Sequence, residues 1–209
     1  MKMRDVILAH GLWVPGFVMQ PLALRLERAG YRCHTFSYGG RARPLAAHAE
    51  RLARLAREVG PTHFVGHSLG GLVLLEELGN DASIAAGRVV LLGTPVRGCY
   101  AGQRLAGHAA GRWLLGESAT LWREGRSARW TRPEPLGVIA GSLPLGLGRM
   151  IGRLPGLNDG VVRVEETAVD GMADRVVLHV SHGAMLVSAR VAEQVAGFLA
   201  HGRFPPNPR

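Results

Sequence analysis

In the stretch Gly66-His67-Ser68-Leu69-Gly70, a serine stands between two glycines, each one residue removed. A serine hydroxyl becomes a useful nucleophile only when a neighbouring base takes its proton. Chance alone gives ~0.15 such G-x-S-x-G matches in a chain this rich in glycine, so the setting has to decide. Here the motif follows the apolar run HFV and opens LGGLVLLEEL, which reads as strand, sharp turn and helix. Glycines on both sides let the chain take a turn that holds the serine in a sterically poor conformation. The helix start directs backbone N–H groups and a positive dipole end at the same place.

The base should be a histidine, and of the nine in the chain His182 has the best setting. It follows the run RVVLHV, in the tract SHGAM, at the strand end that lies beside the end of HFV in a parallel sheet. His67 adjoins Ser68, but successive residues at such a turn point in different directions, which makes His67 a wall or packing residue. His34, His48, His63, His108 and His201 fall on expected strands, helices or surface segments. A histidine base needs a carboxylate to fix its tautomer. Asp159, between turn-forming Asn158 and Gly160, follows the strand LGVIA at the same sheet edge, with Glu165 and Glu166 as the fallback. Asp170 and Asp174 precede RVVLHV and belong at the opposite end. Two backbone N–H donors would then hold a developing oxyanion. Leu69, directly after the serine, offers one, and Leu12 in the loop His10-Gly11-Leu12-Trp13 offers the other. Gly11 allows close backbone approach there, and His10 holds the loop by hydrogen bonds. Trp13, Phe17, Met185 and Leu186 could line an apolar acyl pocket, or equally belong to the core.

These residues need elements to position them. VILA, YRCHTFSY, HFVGH, RVVLL, LGVIA and RVVLHV read as strands, most of them short apolar runs of the kind a sheet covered on both faces requires. Helices are expected over 21–29, 44–59, 68–78 and 185–200. In the second of these, Leu45, Ala49, Leu52, Leu55 and Val59 share one face at helical spacing. The alternation gives an α/β class with a mainly parallel sheet of about six strands, covered by helices on both sides. It breaks over 96–135, a segment too long for an ordinary connection, which reads as a small helical cap inserted into a single domain spanning 1–209. A second long connection, 141–164, carries Asn158-Asp159-Gly160.

Composition bounds the partners. The formal net charge is +9, which invites nucleic acid. However, Lys2 is the only lysine, the arginines are spread along the chain, and no nucleic-acid-binding motif is present. The expected partner is a small-molecule or lipid ester, without nucleic acid, and the basic surface leaves peripheral contact with an anionic membrane surface as a further expectation. No apolar run is long enough to span a bilayer. The N-terminal run is brief and interrupted by Asp5 and His10, unlike a signal peptide. Cys33 and Cys99 read as free thiols, which fits a cytoplasmic location.

Five stretches together, AHGLW at 9–13, VGHSLGG at 65–71, LGTPVRG at 92–98, NDGVV at 158–162 and VSHGAML at 180–186, cover essentially the whole chain. In them the sequence resembles the α/β-hydrolase superfamily, and within it the compact bacterial lipases and esterases. The resemblance implies a triad of Ser68, His182 and Asp159, an oxyanion hole at Leu12 and Leu69, and no metal or organic cofactor. It implies ester cleavage through an acyl-enzyme, with thioesterase, amidase, acyltransferase or membrane-lipid deacylase chemistry as the alternative on this fold. The single glycine of HGLW is similar to the lipase-like branch and departs from the HGGG type. Segment 96–135 is longer than in the smallest lipases of this type.

Overall fold

The structure, a computed structural model, describes residues 3–11, 15–38, 45–109, 129–146 and 154–206. Six strands, β1 (Asp5–Ala9), β2 (Arg32–Phe36), β3 (Thr62–His67), β4 (Ala86–Leu92), β5 (Leu136–Gly141) and β6 (Asp174–Leu178), form one sheet. Their order is β2-β1-β3-β4-β5-β6, and every neighbouring pair is parallel. Among the described residues the α-helices are α1 (Gln20–Arg28), α2 (Leu45–Val59), α3 (Leu69–Asn80), α4 (Tyr100–Ala106) and α5 (Ala189–His201).

Side-chain alternation along the strands divides the core in two. Ile7, Phe64, Leu91 and Val138 face one way and pack with Leu52 of α2 and Val73 of α3. Val6, Leu8, Val65, Val90 and Ile139 face the other way and pack with Leu22 and Leu26 of α1 and with Val195 and Phe198 of α5. Both faces being covered explains why the central strands read as apolar runs, while the edge strands β2 and β6 are only partly buried. Burying one such Leu or Phe contributes about 1.5–3 kcal/mol.

The topology also says where a ligand would bind. From β1 the chain moves outward to β2, then α2 carries it back past β1 to β3. Helices on right-handed crossovers of opposite direction lie on opposite faces, so a crevice opens where the direction reverses. That crevice lies at the carboxyl ends of β1 and β3, where His10-Gly11 and Ser68 stand.

Some boundaries differ from the sequence expectation. The last helix was expected over 185–200, but Gly183–Leu186 is a separate 3-10 turn and α5 begins at Ala189. Ser188 causes the break: its backbone is extended and its side chain accepts from Val191 N at 3.3 Å, an N-cap. Strand β6 stops at Leu178 rather than Val180, which leaves His182 on a loop of its own. Strand β2 covers only Arg32–Phe36. Of the expected cap, α4 starts where Cys99 Sγ accepts from Gly102 N at 3.4 Å, and 110–128 lie outside the described residues.

Candidate active site

Ser68 joins β3 to α3 with φ 54° and ψ −124°, and it has the only positive φ of a non-glycine among the described residues. Such a conformation costs about 1–3 kcal/mol and persists only where the surroundings impose it. They do so here. Ser68 N donates to Leu92 O at 2.9 Å, and Gly71 N donates back to Ser68 O at 3.0 Å. A Cβ on Gly66 would lie 2.6 Å from Gly71 Cα, and one on Gly70 would collide with the carbonyl oxygens of Ala9 and His10. The motif glycines therefore let the helix start press against two strand ends. Residues 62–67 and 69–74 are buried, while Ser68 between them is partly exposed. Gly70→Ala is expected to destabilise the fold by about 2–3 kcal/mol in urea denaturation. Gly79→Ala, near the end of the same helix with nothing within 4 Å of the added Cβ, should be neutral or stabilising.

His182 and Asp159 form a hydrogen-bonded pair. His182 Nδ1 lies 2.7 Å from Asp159 Oδ2, and His182 N donates to Asp159 O at 2.8 Å. The other carboxylate oxygen, Oδ1, accepts from Val161 N at 2.9 Å and Val162 N at 2.7 Å. Asp159 is wholly buried, and these donors are what make a buried carboxylate tolerable. Asn158 shapes the turn by accepting from Gly160 N at 3.0 Å. Gly93, at the end of β4 with φ 52°, backs the pair: a Cβ there would stand 3.0 Å from both Asp159 Oδ2 and His182 Nδ1. From β1, Gly11 approaches so closely that its Cβ would lie 3.1 Å from Ser68 Cβ. The ends of β1, β3, β4 and β6 and the connection after β5 thus converge on one place, with a partly exposed serine and a carboxylate-bound imidazole. These are the residue types of nucleophilic acyl transfer.

The other expected residues fall as follows. Leu69 is the first residue of α3, where a backbone N–H has no acceptor within its own helix. Leu12 and Trp13 lie outside the described residues. Phe17 stands on a 3-10 turn (Gly16–Met19) and is 74% exposed. Met185 and Leu186 are core residues beneath the His182 loop. The fallback carboxylates are engaged elsewhere. Glu166 accepts from Tyr100 N at 2.7 Å, Arg163 N at 2.8 Å and Arg163 Nε at 3.0 Å, while Glu165 pairs with Arg163 at 2.5 Å. Asp174 starts β6 at the far end of the sheet and accepts from Phe204 N at 2.7 Å. Sequence reasoning missed the part of Gly93, for which the signal was a glycine closing the run RVVLL. Among the described residues no group of three or more His, Cys, Asp or Glu side chains is placed to hold a metal ion.

Two neutral histidines frame the site. His10 Nδ1–H donates to Gly11 O at 2.8 Å, its Nε2 accepts from Tyr38 N at 3.2 Å, and Tyr38 OH returns a bond to His10 O at 2.6 Å. This is the loop-holding part expected of His10, and burial lowers its pKa. His67 is buried with its ring centroid 4.6 Å from that of His182, and its Nε2–H donates to His182 O at 3.0 Å. Burial, then the neighbouring His182, pushes the His67 pKa down to about 3. Away from the site, burial and then Arg88 push His63 down to about 4. Both groups bind protons more readily in the unfolded chain. Their contribution to stability is therefore complete above the ordinary histidine range and is lost as pH falls from about 6.5 towards these values, at up to about 1.4 kcal/mol per pH unit for each. A Tm that stays flat from pH 7 to pH 4.5 would contradict this.

A sequence model described as the alpha/beta hydrolase family matches residues 6–151. Comparison with curated proteins returns no match. Among solved structures, the mature lipase BlEst2 of Bacillus licheniformis is similar at 17% identity and TM-score 0.69, over 96% of this chain and 92% of that one. A thermophilic esterase from Thermogutta terrifontis is similar at 15% identity and TM-score 0.70, over 95% and 90%. A hydrolase from Pseudomonas aeruginosa is similar at 18% identity and TM-score 0.69, over 95% and 90%. At such identities the structural likeness speaks for the fold, while the family match speaks for descent: the chain belongs to the alpha/beta hydrolase family.

Proposed function

We propose that the protein is a serine hydrolase that cleaves carboxylic esters through an acyl-enzyme, with Ser68 as nucleophile, His182 as general base and acid, and Asp159 as its orienting carboxylate. One observation carries the reading: a buried carboxylate holds an imidazole at 2.7 Å, at the sheet edge where a serine stands in an imposed, otherwise unfavourable turn. The hydrogen bond to Asp159 keeps the proton of neutral His182 on Nδ1, which leaves Nε2 free to accept from Ser68. Ser68 Oγ attacks the ester carbonyl, and its proton passes to His182. The oxyanion is held by Leu69 N–H and by Leu12 N–H. His182 then gives its proton to the leaving alcohol, and water cleaves the acyl-enzyme by the same route. Removing one oxyanion donor in such a site costs about 10²–10³-fold in kcat.

The test is turnover of p-nitrophenyl esters from acetate to laurate, with acyl thioesters and anilides alongside. Ester turnover far above thioester and anilide turnover is expected. Thioester turnover exceeding ester turnover would move the substrate class, and no turnover of any acyl compound would remove the reading.

A further inference from the structure

His67 is buried, chemically versatile and unused by the mechanism above. It is the last residue of β3, and strand alternation turns it to the same face as Val65, away from α3 and toward α1, α5 and the His182 loop. Its ring is wedged between two parts of the site. On one side Nε2–H donates to the backbone carbonyl of His182 at 3.0 Å, with the two rings tilted by 44°. On the other side Nδ1 points toward Gly11, where a Cβ would come within 3.3 Å, and this nitrogen has no hydrogen-bond partner. A buried imidazole spending one nitrogen on a neighbouring carbonyl and leaving the other unpaired is costly. That cost is compensated only if the single bond it makes matters.

We propose that His67, as the neutral Nε2–H tautomer, is a positioning residue that holds the backbone of His182 and thereby aims the His182 ring at Ser68. The inference rests on the esterase reading above. His182 sits on a loop beyond β6, held by Asp159 through N and Nδ1; the bond from His67 fixes the remaining backbone group of the same residue. Backbone and ring are thus held from two directions, which is what a reacting geometry sensitive to about 1 Å requires. Neutrality matters as well, because a cation at His67 would repel the imidazolium that forms on His182 during acyl transfer. Burial keeps the proton off through the working range.

Two substitutions separate this from simple packing. The amide nitrogen of His67→Gln reaches the place of Nε2, whereas that of His67→Asn reaches only the place of Nδ1. His67→Gln should keep kcat within about threefold of wild type. His67→Asn should lose about 10- to 100-fold in kcat with KM within about twofold, and phosphonate labelling of Ser68 should slow in parallel. Equal kcat in the two variants, or a loss carried by KM, would overturn the proposal. Nitrogen-15 NMR of the wild-type protein decides the point if either variant folds poorly: a neutral Nε2–H His67 from pH 8 to pH 5 supports it, and an Nδ1–H tautomer or a cation overturns it. Failure of the esterase reading looks different, as a wild type that neither turns over esters nor is labelled.

Discussion

Ser68→Ala is expected to lower kcat for p-nitrophenyl esters by about 10⁶-fold, since removing the nucleophile of such a unit costs about as much as removing the whole unit. The fold should barely notice. The φ of 54° at position 68 is imposed by Ser68 N on Leu92 O and by the pressed glycines, none of which needs the hydroxyl. Ser68→Gly goes further. Glycine relieves about 1–3 kcal/mol of backbone strain and gives back about 0.5–1 kcal/mol in unfolded-chain entropy. This variant should therefore be inactive yet more stable than wild type by about 1 kcal/mol, as read by urea denaturation. An inactive variant that is also less stable would mean that the turn is not strained as described.

Asp159→Asn is expected to lower kcat by about 10⁴-fold while leaving KM and the fold largely intact. The geometry gives the reason. Oδ1 of Asp159 accepts two backbone N–H groups, from Val161 and Val162, while Oδ2 faces His182 Nδ1. An asparagine has one oxygen, and the two backbone donors claim it, which turns the NH₂ group toward His182. The imidazole must then accept at Nδ1 and carry its proton on Nε2, where it cannot take one from Ser68. Nitrogen-15 NMR should show the tautomer reversed in the variant, and retention of more than a tenth of wild-type kcat would contradict the assignment of Asp159.

The elements that could be read from the sequence are those whose signal is local. Short apolar runs marked the central strands, because a parallel sheet is buried on both faces there, whereas the partly exposed edge strand β2 was read from the mixed tract YRCHTFSY; the leucine spacing of α2 marked a helix that packs on one side. The setting of Ser68 was legible for the same reason, since strand, turn and helix follow one another within a few residues. What the sequence concealed depends on contacts between distant segments. A run through residue 200 hid the helix start at Ser188, where one hydroxyl accepting from Val191 N outweighs apolar periodicity. Gly93 looked like any glycine after a strand, and only the fold brings it against Asp159 and His182, 66 and 89 positions later by subtraction of their residue numbers. His67 was legible as a packing residue, but its bond to His182 O joins parts of the chain that no pattern links. Sequence ranked Glu165 and Glu166 as the fallback to Asp159, but their engagement with Tyr100 N and Arg163 shows only in the fold.

The central claim is that Ser68 is an activated nucleophile and not a glycine-flanked helix cap. Intact-protein and peptide mass spectrometry after treatment with a p-nitrophenyl alkylphosphonate tests it most directly. One phosphonyl adduct per chain, located on Ser68, absent in Ser68→Ala and formed far more slowly in Asp159→Asn, is the result predicted. No adduct on folded wild-type protein, or an adduct on another residue that survives Ser68→Ala, would contradict it.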